Sequence, residues 1–448
     1  MIFKRNLHGI RVPQRKATAG MRTQRLASPA SVVLPMTMHI GAPARPVVKV
    51  GDTVKIGQLV AEAGGFVSAP IYASVSGKVV KIDERRNAAG RMGQVIEIES
   101  DGRDERWEGL QPPKLETMQD FLDAVRASGL VGLGGAGFPT VVKLTVKNLD
   151  QVEYILVNGA ECEPYITSDT RAMIDYSGDV LLGCQLLKKF LNVPKIVFGI
   201  EDNKPECIRR YRELTKDEPD MEVRPLRSLY PQGGEKVLIY NLTGRIVPEG
   251  KLPIDVGVIV LNCTTISSIA RYCRTGLPLV KKCVTVDGTA VREPKNVLVP
   301  IGTRMRDVFE ACGGFVTEPL KVLYGGPMMG VAVPDLEQPV LKNTNAILAF
   351  GEAEAVPPEP TACIRCGRCI AHCPLNLMPC ELETAYLAGK VERLVELKVN
   401  LCMECGCCSY GCPAHRPLVQ TNKLAKAQAA AWKKAQAARA EAEKEAAK

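Results

Sequence analysis

No apolar stretch in the 448 residues approaches the roughly 18–20 that a membrane helix needs. The best candidate, residues 256–261, has the length of a buried strand, so no bilayer-spanning segment is predicted. Acid is missing from the first 30 residues, which carry Lys4, Arg5, Arg11, Arg15, Lys16, Arg22 and Arg25. That arm has the Arg-rich composition of an organellar transit peptide but lacks the apolar core of a secretory signal, so export is not expected. An even cysteine count is also missing. Seventeen cysteines in a long chain without a secretory signal make a poor disulfide framework, and they point to a reduced compartment. The net charge of +9 sits at the two ends, because residues 421–448 are basic as well. The body between them is slightly acidic, which excludes a basic groove for nucleic acid. Two readings of the ends stay open: solvated termini, or contacts to an acidic partner or an anionic membrane surface.

The remaining composition is that of a globular protein, with 46% hydrophobic residues, 24% charged residues and a mean hydropathy of −0.01. Wholesale disorder, collagen and coiled coil are excluded. The length suggests about three domains of roughly 150 residues. After the basic arm (1–32), residues 33–100 alternate apolar and polar positions between glycine turns, which predicts short strands. From Val50-Gly51-Asp52 to Val75-Ser76-Gly77-Lys78-Val79 the chain resembles the barrel-sandwich hybrid of biotinyl and lipoyl carriers. Where those carry a modified lysine, this chain has Ala69-Pro70-Ile71-Tyr72-Ala73, so a swinging-arm carrier is disfavoured. Residues 115–275 alternate apolar strands (154–157, 196–200, 256–261) with helical patterns (180–190, 205–214, 234–241). That order predicts a parallel α/β sheet covered on both faces. Residues 276–350 return to β character around one helical segment near Met305. A linker leads to a cysteine-rich module (355–418), and an Ala/Lys-rich stretch (419–448) is expected to be helical with a partner and frayed alone.

Cys363-x2-Cys366-x2-Cys369-x3-Cys373-Pro374 is followed by Cys402-x2-Cys405-x2-Cys408-x3-Cys412-Pro413. The x2 spacing curls three thiolates onto one iron–sulfur cube, and the fourth projects toward the other cube. This assigns one [4Fe–4S] cluster to Cys363, Cys366, Cys369 and Cys412, and a second to Cys402, Cys405, Cys408 and Cys373. Zinc needs only four ligands and usually pairs two knuckles across a longer gap, so it explains the two copies poorly. Cys407 is an extra thiol, and His372 and His415 are shell residues rather than ligands. The nine other cysteines read as small buried hydrophobes. Between the quartets Leu382, Tyr386, Val391, Leu394 and Leu397 predict an amphipathic helix over the clusters.

Gly132-Leu133-Gly134-Gly135-Ala136-Gly137 satisfies G-x-G-x-x-G, but a helix-like segment precedes it where a Rossmann fingerprint requires a strand. The glycines still offer backbone amides to a phosphate, with Lys143 nearby. The strand at 154–157 delivers Asn158 and then Glu161 and Glu163, Gly234-Glu235 opens a helix, and Asn262 and Thr264 follow the last strand. G-L-G-G-A-G-F-P-T with Lys143 and the N-x-x-E-x-E-P loop resembles the NADH- and FMN-binding flavoprotein of respiratory complex I. The whole arrangement resembles the C-subunit family of Rnf electron-transport complexes over roughly residues 30–418.

The resemblance implies a multidomain α/β protein: a barrel-sandwich hybrid, a flavoprotein-like parallel α/β domain, a soluble-ligand-binding β-grasp domain and a helical two-cluster ferredoxin module. It implies FMN on Gly132, Gly134, Gly135, Gly137 and Lys143, and a flavin held by Asn158, Asn262 and Thr264. NADH would lie against Glu161, Glu163, Gly234 and Glu235, with Glu161 and Glu163 as the catalytic pair. It further implies membrane-embedded and iron–sulfur partner subunits, indirect exchange with ferredoxin, ion translocation, and a peripheral place on the cytoplasmic side of the cell inner membrane. Complex I flavoproteins usually have Arg where Leu133 stands and Asp where Ala160 stands. Those departures support a second reading, an iron–sulfur relay or docking subunit with a degenerate nucleotide site.

Overall fold

A computed structural model describes residues 7–146 and 148–446; Lys4 and Arg5 of the basic arm lie outside the described residues. The first strands are β1 (Gln24–Arg25), β2 (Ser31–Pro35), β3 (Arg45–Pro46), β4 (Thr53–Val54), β5 (Leu59–Glu62), β6 (Ile71–Tyr72), β7 (Gly77–Arg86) and β8 (Met92–Ser100). Seven of them form two small sheets, in the orders β2-β8-β7-β4 and β3-β5-β6. Strand alternation gathers Val32, Leu34, Val54, Val60, Val79, Ile96 and Ile98 into their shared core. The stretch that would carry a carrier's lysine is buried instead, with Ala69 in the core of the next domain. Lys342 seals that junction by donating to the carbonyls of Pro70 (2.6 Å) and Gly129 (2.8 Å).

Helices α1 (Met118–Ala127) and α2 (Thr140–Leu144) lead into a second domain. Thr117 and Asp120 cap α1 reciprocally, and its apolar face buries Phe121, Leu122 and Val125. Then follow β9 (Tyr154–Gly159), α3 (Ser168–Asp175), α4 (Ser177–Leu191), β10 (Lys195–Glu201), α5 (Pro205–Leu214), β11 (Met221–Leu226), α6 (Glu235–Thr243), β12 (Val258–Asn262) and α7 (Cys263–Thr275). The sheet is parallel throughout, in the order β11-β10-β9-β12. Ile155 and Val157 pack toward α4 and α7, and Leu156 and Val258 pack toward α6. Both faces are therefore covered, and the strands read as unbroken apolar runs. The sequence did not reveal β11; it is an edge strand, where Glu222, Arg224 and Pro225 are tolerated. The chain runs from β9 outward to β11 and then crosses back to β12. The strand order therefore reverses between β9 and β12, the kind of place where parallel sheets bind ligands.

A fourth sheet is mixed, β1-β14-β13-β17-β15-β16, built from β13 (Lys281–Asp287), β14 (Lys295–Pro300), β15 (Lys321–Tyr324), β16 (Val331–Ala332), β17 (Ala346–Phe350) and the early β1. Helix α8 (Met305–Glu310) covers it through Met305, Val308 and Phe309. The arm is therefore no loose basic handle. Gln24 and Arg25 pair with Val297 and Leu298, and Ile10 and Tyr230 exchange backbone hydrogen bonds at 2.9 Å. Ile10 and Val12 are buried.

The cysteine-rich part is helical: α9 (Glu352–Ala355), α10 (Arg368–Ala371), α11 (Pro379–Leu387), α12 (Val391–Glu396), α13 (Cys407–Tyr410) and α14 (Leu418–Ala446). The single helix expected between the quartets is two, broken at Gly389, whose φ of +66° no right-handed helix accommodates. Leu382 and Leu394 are nonetheless both fully buried. The Ala/Lys-rich stretch is one helix, and it finds its partner in the cysteine module. The first turns of α14 bury Leu418, Val419, Ala425 and Ala429, and Lys426 donates to the Cys402 carbonyl at 2.8 Å. Beyond Ala429 every described residue is exposed apart from half-buried Trp432.

Candidate functional site

A cleft of about 1470 Å³ opens at the carboxyl ends of β9 and β12. It collects the glycine loop, Lys143, Asn158, Glu161, Glu163, Gly234, Glu235 and Asn262 on one surface; Thr264 stays outside its wall. Asn158 and Asn262 are register partners on the two strands. Asn158 donates to the Gly233 carbonyl at 3.0 Å, which ties β9 to the start of α6. Asn262 caps α7 by accepting from Thr264 and Thr265 amides, and it donates to Asp169 at 2.6 Å. The Thr264 hydroxyl also donates to Asp169, at 2.6 Å. The expectation that Asn262 and Thr264 hold a ligand is thus narrowed, because their polar atoms brace the strand end.

In the glycine loop the Gly132 amide donates to the Phe138 carbonyl at 2.8 Å, and Asn343 donates to the Gly135 carbonyl at 2.9 Å. A Cβ at Gly134 would strike the Asn262 side chain, whereas one at Gly135 would meet nothing within 4 Å. Gly134 therefore lets two walls approach, and Gly135 keeps room in the cleft. Leu133 is fully buried in the α/β core, with its amide on the Thr265 hydroxyl at 3.1 Å. Its apolar character thus serves packing. Lys143 pairs with Glu235 at 2.7 Å on the cleft wall.

Both carboxylates of the acidic loop are engaged by amides. Glu161 accepts from the amides of Asp169 (2.7 Å) and Thr170 (3.2 Å) at the start of α3, and from the Thr170 hydroxyl (2.7 Å). Glu163 accepts from the Met328 (3.0 Å) and Met329 (2.8 Å) amides, which clasps the loop after β15. Burial raises the pKa of each. Their expected catalytic role is narrowed accordingly: they border the cleft but hold its walls together. The sequence reading missed three residues there. Asp169 braces Asn262 and Thr264; the buried Thr140 hydroxyl has no partner among the described residues; and Met403 comes from the cysteine module. Thr140 directly follows the G-F-P of the loop, a signal that could have marked it. Nothing local marks Asp169 or Met403.

Beside the cleft lies a narrow cavity lined by Cys373, Cys402, Cys405, Cys407 and Cys408, and Met403 lines both spaces. The Leu377 amide donates to the Cys373 sulfur at 3.3 Å, and Asn422 donates to the Cys402 sulfur at 3.8 Å. The extra thiol of Cys407 points instead to the Tyr230 carbonyl, 3.8 Å away. In the other quartet Cys363 and Cys366 are exposed, Cys369 is buried and Cys412 is half-buried. Arg416, anchored on Glu383 at 2.6 Å, also donates to the Thr361 carbonyl at 3.0 Å, two residues before Cys363. Among the described residues no three cysteine, histidine or acidic side chains converge as on a single metal ion. Seven of the nine scattered cysteines are buried; Cys273 and Cys380 are partly so.

Three family models match: the RnfC barrel sandwich hybrid domain over residues 4–103, the Nuo51 FMN-binding domain over 125–271 and the SLBB domain over 283–332. Curated relatives cover most of the chain. The C subunit of the proton-translocating ferredoxin:NAD(+) oxidoreductase complex of Clostridium ljungdahlii is 44% identical over 82% of this chain and 81% of its own. The Na(+)-translocating counterpart of Acetobacterium woodii is 43% identical over 83% and 85%. The C subunit of the ion-translocating oxidoreductase complex of Rhodobacter capsulatus is 38% identical over 91% and 80%. Among solved structures, the NAD+-reducing [NiFe]-hydrogenase in the air-oxidized state shares the fold, with a TM-score of 0.50 at 18% identity. The match covers 69% of this chain and 63% of that one. No described helix is long and apolar enough to cross a membrane. With the glycine loop, the acidic loop and both quartets in place, the chain belongs to the family of C subunits of the Rnf ion-translocating oxidoreductase complexes.

Proposed function

We propose that this chain is the peripheral electron-input subunit of a complex that couples electron exchange between NADH and ferredoxin to ion translocation. The observation that carries the proposal is the shared wall. Met403 lines both the cleft of the FMN-binding domain and a cavity bordered by five cysteines, Cys407 among them. FMN suits the cleft: Gly135 leaves open room, Lys143 supplies a cation, and the Thr140 hydroxyl, without a partner among the described residues, lines the wall. The Gly132–Gly137 loop and Lys143 would take its phosphate, and Gly234 and Glu235 would face the nicotinamide. Cys373, Cys402, Cys405 and Cys408 would hold one [4Fe–4S] cluster, and Cys363, Cys366, Cys369 and Cys412 the other. An iron–sulfur cube spreads its thiolates over outer corners, farther apart than ligands of a single ion, which agrees with the absence of a compact site among the described residues. FMN supplies the exchange between a two-electron hydride and single electrons. The chain's own residues bind, orient and exclude water; none needs to carry the hydride's proton chemistry. Attachment to membrane-embedded partners on the cytoplasmic side of the inner membrane would be by protein contacts.

Iron, acid-labile sulfide and extractable FMN in the purified protein test the proposal. We expect two clusters and one FMN per chain. Gly135→Val fills the open room without touching the core, so NADH-dependent reduction of an artificial acceptor should vanish while iron content stays normal. Clusters without flavin or NADH oxidation, even in the assembled complex, would replace this reading with the relay reading.

A further inference from the structure

The N-terminal arm runs behind the acidic loop and fastens to it at four successive places. The Gln14 carbonyl accepts from the Tyr165 amide at 3.0 Å. The Lys16 ammonium donates to three carbonyls, those of Glu161 (2.7 Å), Glu163 (2.7 Å) and Ile166 (2.6 Å). The Thr18 and Thr167 hydroxyls meet at 2.5 Å, and the Ala19 carbonyl accepts from Arg171 at 3.2 Å. Three carbonyls from one short loop do not converge unaided, because their dipoles repel. An ammonium has three donors and one charge, and here each donor has one acceptor. The loop is otherwise unfavourable: Tyr165, between two of those carbonyls, has a φ of +69°, where bulky side chains are uncommon. Lys16 faces inward far enough that desolvation pulls its pKa down even with Glu161 beside it.

We infer that Lys16 is a positioning residue for the flavin-side wall. By gathering the three carbonyls it orients the Glu161 carboxylate onto the start of α3 and the Glu163 carboxylate onto Met328 and Met329. It touches neither flavin nor substrate, and the inference rests on the reading that FMN occupies the cleft. The arm whose charge left two readings open, a solvated terminus or a docking handle, is then the back brace of the redox site.

The experiment uses the full chain. Lys16→Met should weaken FMN binding, followed by quenching of flavin fluorescence, by at least about tenfold, as expected when buried acceptors lose their donor. Hydrogen exchange should accelerate at residues 161–170 and 328–330, while iron content stays at the wild-type level. Lys16→Ala leaves a gap the shape of propylammonium. That amine, present throughout purification, should restore FMN binding and slow the exchange, and tetramethylammonium, a cation without a donor, should not. The amine series also answers the question if Lys16→Met does not fold. Wild-type affinity and exchange in Lys16→Met would overturn the inference, as would equal rescue by both cations. Wild-type protein that binds no FMN would overturn the underlying reading instead, while altered exchange in Lys16→Met would still report the brace.

Discussion

The two cysteine quartets share one spacing and one terminal proline, yet the fold gives them different surroundings. Cys402, Cys405 and Cys408 are all buried, and Cys405 packs against the α/β domain, where the Tyr230 hydroxyl donates to its carbonyl at 2.6 Å and Met403 reaches the cleft. Cys363 and Cys366 lie at the surface beside exposed Ile364. On the proposed reading the spacing sets how each loop would wrap a cluster. Which loop faces the cleft and which faces outward depends on what packs around it. On the proposed reading the buried quartet exchanges electrons with the flavin side, and the exposed one faces partners.

The largest expected effect breaks the quartets apart. Cys373→Ser should remove the cluster of Cys402, Cys405 and Cys408 and about half of the iron, leaving the other cluster's EPR signal largely intact. Selective loss of the cluster on Cys363, Cys366 and Cys369 would refute the crossed assignment. Next, an iron chelator or oxidant should bleach the exposed cluster about tenfold faster than the buried one, since attack follows exposure. Equal rates in a stopped time course would erase the contrast. A smaller effect sharpens it. Met403→Ala should cost about 1 kcal/mol in denaturant unfolding and slow cluster reduction after NADH mixing several-fold, with iron unchanged; an unaltered rate would remove Met403 from the route. The smallest effect concerns α14. Deleting residues 433–448 should change stability by less than about 0.5 kcal/mol, because no described residue beyond Trp432 is buried. Cutting at 421 would strip Ala425, Ala429 and the Lys426 bond to Cys402, and should instead loosen the buried quartet, visible as faster iron loss.

Much was legible because it is local. The cysteine spacing, the apolar runs of β9, β10 and β12, and the helices α4, α5 and α6 follow from residue order and periodicity alone. The edge strand β11 was not legible, because its polar residues and Pro225 carry no core-facing pattern. The break at Gly389 was missed because a single glycine inside an apolar periodicity does not announce a positive φ. The basic arm was misread for a different reason. Charge composition says nothing about partners far along the chain, and Lys16 finds its three acceptors 145, 147 and 150 residues away.

The sequence by itself determined the chemistry available: two thiolate quartets, a glycine loop with a nearby lysine, amides and carboxylates after strand ends, and no membrane-crossing helix. Those depend on residue identity and on separations of a few positions, which the backbone converts directly into geometry. Only the tertiary structure decided which groups remain free to act. Asn262, Thr264, Glu161 and Glu163 stand at the predicted places, but Asp169, the α3 amides and the Met328–Met329 amides engage them. A buried polar group must find a partner, and partners brought together from distant segments cannot be read from one segment alone. The same requirement turned a basic arm into a brace and set one of two equal cysteine loops beside the cleft.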